Sequence, residues 1–428
     1  MRKKDLFIVA LCGISVQLLS SCGADAFMRK GDKAFALGEY YTAAENYRKA
    51  YAKTPASERD LRGERALKVG KAYAAFNSHL KALAGYRNAA RYGKATAEDS
   101  LQLGRLLLRN GEYRAAEEVF KSLQHSLPDN ILVKNGLESA RKAPEWKQEG
   151  SRYTVKRMDI FNSRRDDYSP VLGGDDYSRL YFTSTRNDAL GDELNAVTGM
   201  KSADIFFSEK DDKGKWSKPE AIGTGLNTEY DEGACCLTPD NSQMYLTQCT
   251  FDASSPRYAK IVVSNRADAL WGAPKDFALS NDTLSAFAHP AISPDGEWLY
   301  FVSDMPGGKG GLDIWRTRLT AAGPMGVENL GEPINTPGNE MFPTFRPNGD
   351  LYFSSDGHPG MGGLDIFIAT IGDDDKYHIS HPGYPLNSQG DDFGMTFDGF
   401  HNRGFFSSSR GDGRGNDHIY SFENPEIV

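Results

Sequence analysis

Several things are scarce in this chain. It has five cysteines and eight histidines in 428 residues. Cysteine is too sparse for a disulfide-stapled scaffold. No two histidines fall at H-x-x-x-H or H-E-x-x-H spacing, so the common helical zinc arrangement is absent. No G-x-S-x-G nucleophile elbow occurs. The longest apolar run near the start, Leu6 to Leu19, is 14 residues, too short to span a bilayer comfortably. Basic charge is missing from the second half. Residues 151–428 hold 24 Lys+Arg against 41 Asp+Glu, a net of −17, which argues against nucleic acid as a partner. Residues 23–150 hold 23 against 16, a net of +7, so the whole-chain value of −8 hides a split. Hydrophobic residues at 39% and charged residues at 25% exclude wholesale disorder.

What is present begins with a targeting segment. Arg2, Lys3 and Lys4 precede the apolar run, and Leu19-Ser20-Ser21-Cys22 follows it. These four residues resemble a bacterial lipobox. The resemblance implies removal of residues 1–21 and lipid on Cys22, a stable anchor once several acyl chains sit on one residue. The alternative is an ordinary signal peptide cleaved nearby. Cys12 leaves with the signal, so Cys235, Cys236 and Cys249 remain in a compartment that permits disulfides. Cys249 can pair with Cys235 or Cys236 across a short hairpin at Pro239–Ser242, or all three can be buried thiols packing as small apolar groups.

Residues 22–150 read as an α-helical domain. Small and apolar residues recur at helical spacing, and Gly38 and Gly111 are each followed at offsets 5, 9, 12 and 17 by the same pattern: Ala43, Tyr47, Ala50, Pro55 and Ala116, Phe120, Leu123, Pro128. Asn77, Ala82, Tyr86 and Ala89 form a degenerate copy between them, with Asn77 where a left-handed turn is required. This pattern resembles the tetratricopeptide repeat, which implies three helical pairs and a capping helix over 129–142. The domain then either presents a basic groove to a protein segment or acts as a spacer.

Residues 151–428 switch to short runs rich in Tyr, Phe, Ile and Val between Pro, Gly, Asp and Ser. HPAISPDGEWLYFVSD from His289, followed by GGLDIW, has a near copy in FPTFRPNGDLYFSSD from Phe342, followed by GGLDIF. Third-strand positions 204, 260, 313, 365 and 417 repeat at 56, 53, 52 and 52 residues, and Lys260 replaces the aspartate of the others. Five units of about four strands predict a five-bladed β-propeller. The last unit lacks a return strand, so a strand at about 153–160 is expected to complete it and remove the free edge. Asp204, Asp313, Asp365 and Asp417 are expected to accept backbone N–H bonds at their own turns rather than to do chemistry.

The motifs SPDGEWLYF with GGLDIW, and the linking LGEPINTPGNE, resemble the WD40-like (PD40) repeats of TolB-type and OmpA-associated envelope proteins. Lipobox, helical repeats and this propeller, in that order, resemble the PorE-type periplasmic lipoproteins of the type IX secretion system of Bacteroidota. That resemblance implies a non-enzymatic scaffold, lipid-anchored at the outer membrane and facing the periplasm, binding envelope proteins through the repeat groove and propeller surface, with no cofactor. Such proteins continue into a peptidoglycan-binding OmpA-like domain that the sequence to Val428 does not contain, so peptidoglycan binding is not implied. Other readings are a TolB-like role in envelope integrity and a surface glycan-binding lipoprotein. The acidic loops Gly372–Asp375 and Asp211–Gly214 miss calcium-loop spacing. The loop from Gly411 to Asp417 is better explained by repeat geometry than by a cation. SPDGEW is similar to the Asp-box of sialidase propellers but lacks the spacer, and no arginine cluster accompanies it.

Overall fold

The left-handed turns expected at Gly38, Asn77 and Gly111 have φ of 72°, 64° and 74°, and each joins two helices. A computed structural model describes residues 23–191, 194–223, 225–250, 258–268, 270–411, 413 and 415–425. Its described N-terminal part contains seven helices: α1 (23–36), α2 (Tyr40–Lys53), α3 (Arg59–Ala74), α4 (His79–Arg91), α5 (Ala97–Arg109), α6 (Tyr113–Ser126) and α7 (Ile131–Glu149). No helix among the described residues is long and apolar enough to cross a membrane.

The chain divides into two compact units. The first runs to Leu106 and includes Leu194–Gly199. Its core gathers Ala34, Ala43, Ala44, Tyr47, Ala72, Tyr73 and Ala82. Small residues let the helices approach closely. A Cβ on Gly85 would stand 2.5 Å from the Cα of Gly70, so the α3–α4 crossing requires glycine at 85, and a Cβ on Gly70 would stand 3.0 Å from Tyr86 N. Val197 supplies its carbonyl to Tyr41 N at 3.0 Å, satisfying one of the free donors at the start of α2.

The second unit covers Leu107–Glu193 and Met200–Val428. It is a five-bladed β-propeller. Four-stranded antiparallel sheets are built by Asp167–Gly173, Arg179–Ser184, Asp204–Glu209 and Glu220–Ala221 (blade 1); by Phe287–Ile292, Trp298–Ser303, Asp313–Thr320 and Gly323–Asn329 (blade 3); and by Glu340–Phe345, Leu351–Ser355, Asp365–Ile371 and Tyr377–Ser380 (blade 4). Blade 2 has Asp231–Leu237, Gln243–Thr250, Tyr258–Ala267 and Lys275–Asp276, with Leu270–Trp271 paired beside them. Blade 5 has Asp392–Phe397, Arg403–Ser408 and His418–Glu423, and its fourth strand is Thr154–Arg157. The register there is Thr154↔Glu423 through Arg157↔Tyr420, the closure expected from the sequence. Each first strand touches the first strands of both neighbours, so five of them ring the axis.

Burial explains why the strands are apolar at consecutive positions. In Arg179–Ser184, Leu180 and Phe182 face blade 5 in a cluster with Phe405 and Ile419, while Tyr181 faces blade 2 in a cluster with Val262 and Trp271. Among the described residues, apolar clusters lie between each pair of adjacent blades. Helices α6 and α7 belong to this unit. Asn135 Nδ2 donates to Gly357 O at 2.8 Å, Gly360 N donates to Ser139 Oγ at 2.9 Å, and Trp146 stacks on His381 with centroids 4.7 Å apart.

Candidate functional site

The inner strands carry two repeating features that position the axial site. The first is an acid at the start of the strand, opposite a polar residue of the second strand: Asp167 facing Ser184, Glu232 facing Gln248, Glu340 facing Ser355 and Asp392 facing Ser408, with Phe287 facing Ser303 in blade 3. Each acid is buried and accepts the backbone N–H four residues earlier, from Ser163, Thr228, Thr336 and Ser388 respectively. Second-strand side chains complete the set. Ser184, Ser355 and Ser408 donate hydroxyls at 2.6 Å, and Gln248 donates its amide at 2.8 Å. Arg186 and Arg410 pair with Asp167 and Asp392, each at 2.5 Å. Burial pushes Glu232 and Glu340 up to about 7 and raises Asp392.

The second feature is a residue with positive φ two positions after that acid or Phe287: Ser169 at 51°, Ala234 at 40°, His289 at 48°, Phe342 at 51° and Gly394 at 61°. A β-bulge follows in every inner strand. Hydroxyls from neighbouring strands hold several of these kinks. Ser407 accepts Ser169 N at 2.7 Å, Thr183 accepts Ala234 N at 2.9 Å, and Thr247 accepts His289 N at 2.9 Å.

Past the kinks the five strands enclose an axial cavity of about 480 Å³ that extends to the hairpins between first and second strands. Aromatic rings cross the axis at its inner end. His289 stacks on Phe342 with centroids 3.8 Å apart and planes 14° from parallel, Phe342 meets Phe393 at 4.5 Å, and Phe393 meets Tyr168 at 6.3 Å. The walls include Pro170, Pro290 and Pro343, which follow the kinked residues. Burial pushes the His289 imidazole down to about 3, so it is neutral at physiological pH.

A second cavity, of about 540 Å³, lies on the helical unit among α2, α3 and α4. Ala66, Val69, Ala84 and Gly85 line it together with Tyr51 and Tyr73. Tyr73 donates to Glu45, which pairs with Arg48 at 2.8 Å, and Lys81 sits over the Tyr73 ring.

Cys22 lies outside the described residues. Cys235, Cys236 and Cys249 are free. Cys235 is opposite Leu246 and Cys236 opposite Tyr245, whereas Cys249 is opposite Asp231. Three or four residues of strand therefore separate Cys249 from either candidate, roughly 10–13 Å at strand rise, beyond the Cα span a disulfide bridges. Of the three thiols Cys235 is buried and Cys236 and Cys249 are half-buried, and burial pushes Cys235 and Cys249 up to about 12. Asp204 accepts Leu190 N at 2.7 Å, Asp313 accepts Lys309 N at 2.5 Å and Gly310 N at 3.1 Å, and Asp365 accepts Met361 N at 2.8 Å and Gly362 N at 3.0 Å. Burial pushes Asp204 up to about 6.

Asp417 departs from that pattern. The residue facing the second-strand serine in blade 5 is His418, opposite Ser408, as Asp313 is opposite Ser303. Ile419 N then donates to Asn162 Oδ1 at 2.7 Å, as Ile314 N does to Asn335 Oδ1 at 2.9 Å. Alignment on the aspartate placed the fifth copy one residue early; the asparagine-bonded isoleucine is the true register mark. Among the described residues no group of three His, Cys, Asp or Glu stands together as a metal site.

The acid belt was not singled out from the sequence, although a signal existed. Asn-Ser-Arg-Arg-Asp-Asp at 162–167, Asn-Thr-Glu-Tyr-Asp-Glu at 227–232, Asn-Thr-Pro-Gly-Asn-Glu at 335–340 and Asn-Ser-Gln-Gly-Asp-Asp at 387–392 share one pattern. The axial cavity had no such signal, since its lining comes from five strands distant in sequence.

No family model matches this chain, and no curated protein matches it. Solved structures similar to it include an endo-arabinase from Bacteroides thetaiotaomicron, 14% identical with TM-score 0.41, covering 64% of this chain and 98% of that one. A puromycin-hydrolyzing peptidase from Mycobacterium tuberculosis is 14% identical with TM-score 0.32, covering 56% and 33%. The C-terminal TPR-containing domain of an FK506-binding protein from Plasmodium falciparum is 15% identical with TM-score 0.28, covering 31% and 95%. At these scores no function carries over.

Proposed function

We propose that this chain is a non-enzymatic scaffold lipoprotein of a bacterial envelope, anchored through Cys22 to the outer membrane on its periplasmic side and serving the type IX secretion system as a component or accessory. The observation that carries the reading is the order of parts in one chain: the Leu19-Ser20-Ser21-Cys22 stretch, then small-residue helical pairs, then a five-bladed propeller. We read α1–α7 as three tetratricopeptide repeats and a capping helix. The left-handed turns at Gly38, Asn77 and Gly111 and the Gly70–Gly85 contact support that reading. Protein partners are the occupants that such surfaces suit. The cavity among α2, α3 and α4 combines an apolar base with Tyr51, Tyr73 and Arg48, residue types that anchor interfaces.

Crosslinking in the native envelope followed by affinity recovery tests the assignment. Secretion-system components are expected among the recovered proteins, and their consistent absence removes that assignment. Cys22→Ala is expected to abolish incorporation of labelled palmitate and to release the protein from membranes. Digestion by protease added to intact cells would overturn the periplasmic location.

A further inference from the structure

Two buried polar atoms at the inner end of the propeller cavity have no hydrogen-bond partner among the described residues: Ser169 Oγ and His289 Nδ1. Ser169 is 5% exposed, and both residues line the cavity. Neighbouring polar groups are already engaged. Thr396 Oγ1 accepts Leu172 N at 2.9 Å, Asn241 Oδ1 accepts Gly174 N at 3.1 Å, and Ser293 donates to Asp295. A buried polar atom left unpaired costs free energy, so two of them on residues that line one cavity, Ser169 from blade 1 and His289 from blade 3, point to groups that a ligand completes.

The lining also states what kind of ligand enters. Asp175, at the exposed hairpin end, is its one charged side chain, and His289 is held neutral. Desolvating an ionic group against such walls is unfavourable. A purely apolar ligand would leave Ser169 and His289 unsatisfied. The stacked His289 and Phe342 rings, with the flanking prolines, offer flat surface beside the unpaired His289 Nδ1, in the cavity that Ser169 also lines. At about 480 Å³ the cavity falls within the usual size of small-ligand pockets.

We propose that the axial cavity is a binding site for an uncharged saccharide of about two rings, whose hydroxyls hydrogen-bond to Ser169 Oγ and His289 Nδ1 while a ring face packs on the His289–Phe342 stack. This site is independent of the partner-binding reading above, and its test needs no envelope partner. The experiment is calorimetric titration of the full chain with cellobiose, xylobiose and maltose, and in parallel with glucosamine, glucuronate and an uncharged hexapeptide. Saturable binding of at least one neutral disaccharide is expected, with the charged sugars and the peptide clearly weaker. Ser169→Ala is expected to weaken that binding roughly tenfold with an unchanged melting temperature, because the hydroxyl it removes has no partner in the fold. His289→Phe keeps the stack and is expected to weaken binding similarly. Failure of all three disaccharides to saturate overturns the proposal. So does undiminished affinity in Ser169→Ala, equal affinity for a charged sugar, or preferential binding of the peptide.

Discussion

Glu340 is wholly buried and satisfied by Thr336 N at 2.8 Å, Thr336 Oγ1 at 2.7 Å and Ser355 Oγ at 2.6 Å, yet burial pushes it up to about 7 from 4.5. The folded state thus binds a proton that the unfolded chain has lost between those values. Its contribution to stability is full below 4.5 and disappears as pH rises through 7. Raising pH from 5 to 8 is therefore expected to destabilise the wild type relative to Glu340→Gln by roughly 1–3 kcal/mol. Buried His289 and His358, whose values are lowered, slope the other way, but they are common to both proteins and cancel in the comparison. Parallel denaturation midpoints for the two proteins across this pH range would refute the claim. Single residues were only partly legible in the sequence. Asp204, Asp313 and Asp365 could be recognised as turn acceptors because their partners lie within the same turn or link. Asp417 could not be placed, because the contact that fixes the register there is Asn162 to Ile419, 257 residues apart.

At the scale of elements, local chemistry spoke clearly. The glycine and asparagine turns fixed where helices end, and short runs rich in Tyr, Phe, Ile and Val marked the strands. The α3–α4 crossing shows how little room those choices leave. A methyl at residue 85 would meet Gly70 N and Cα at 2.5 Å, both backbone atoms that cannot swing aside. Gly85→Ala is expected to lower stability by about 1–3 kcal/mol, read as an earlier helical transition in chemical denaturation; an unchanged midpoint would show that the helices can separate without cost. Closure of the propeller was legible for a different reason: a missing fourth strand at one end and a spare strand at the other are visible in the repeat count itself. Deleting residues 151–161 removes the partner of His418–Glu423 and uncovers Phe422, so the propeller is expected to lose its cooperative melt. A deletion variant that melts like the intact chain would rule out this closure as a stabilising device.

For the whole molecule, the informative finding is which pieces share a core. The sequence places a change of character near residue 150, from helical to strand patterning. Contacts nevertheless join α7 to the propeller through Asn135, Ser139 and Trp146, and Arg109 at the end of α5 pairs with Asp391. A fragment starting at Ala97 is therefore expected to melt several degrees above one starting at Ser151, and equal melting temperatures would mean these contacts contribute nothing. The sequence by itself determined the helical pairs, the five-fold repeat and its closing strand, because each is written in local sterics and in a period that repeats along the chain. The tertiary structure decided the union of the last helices with the propeller, the buried acid belt and the axial cavity with its unpaired Ser169 and His289. Those depend on convergence of strands separated by fifty residues or more, where burial and the direction of each kink, rather than residue type, set what a side chain meets.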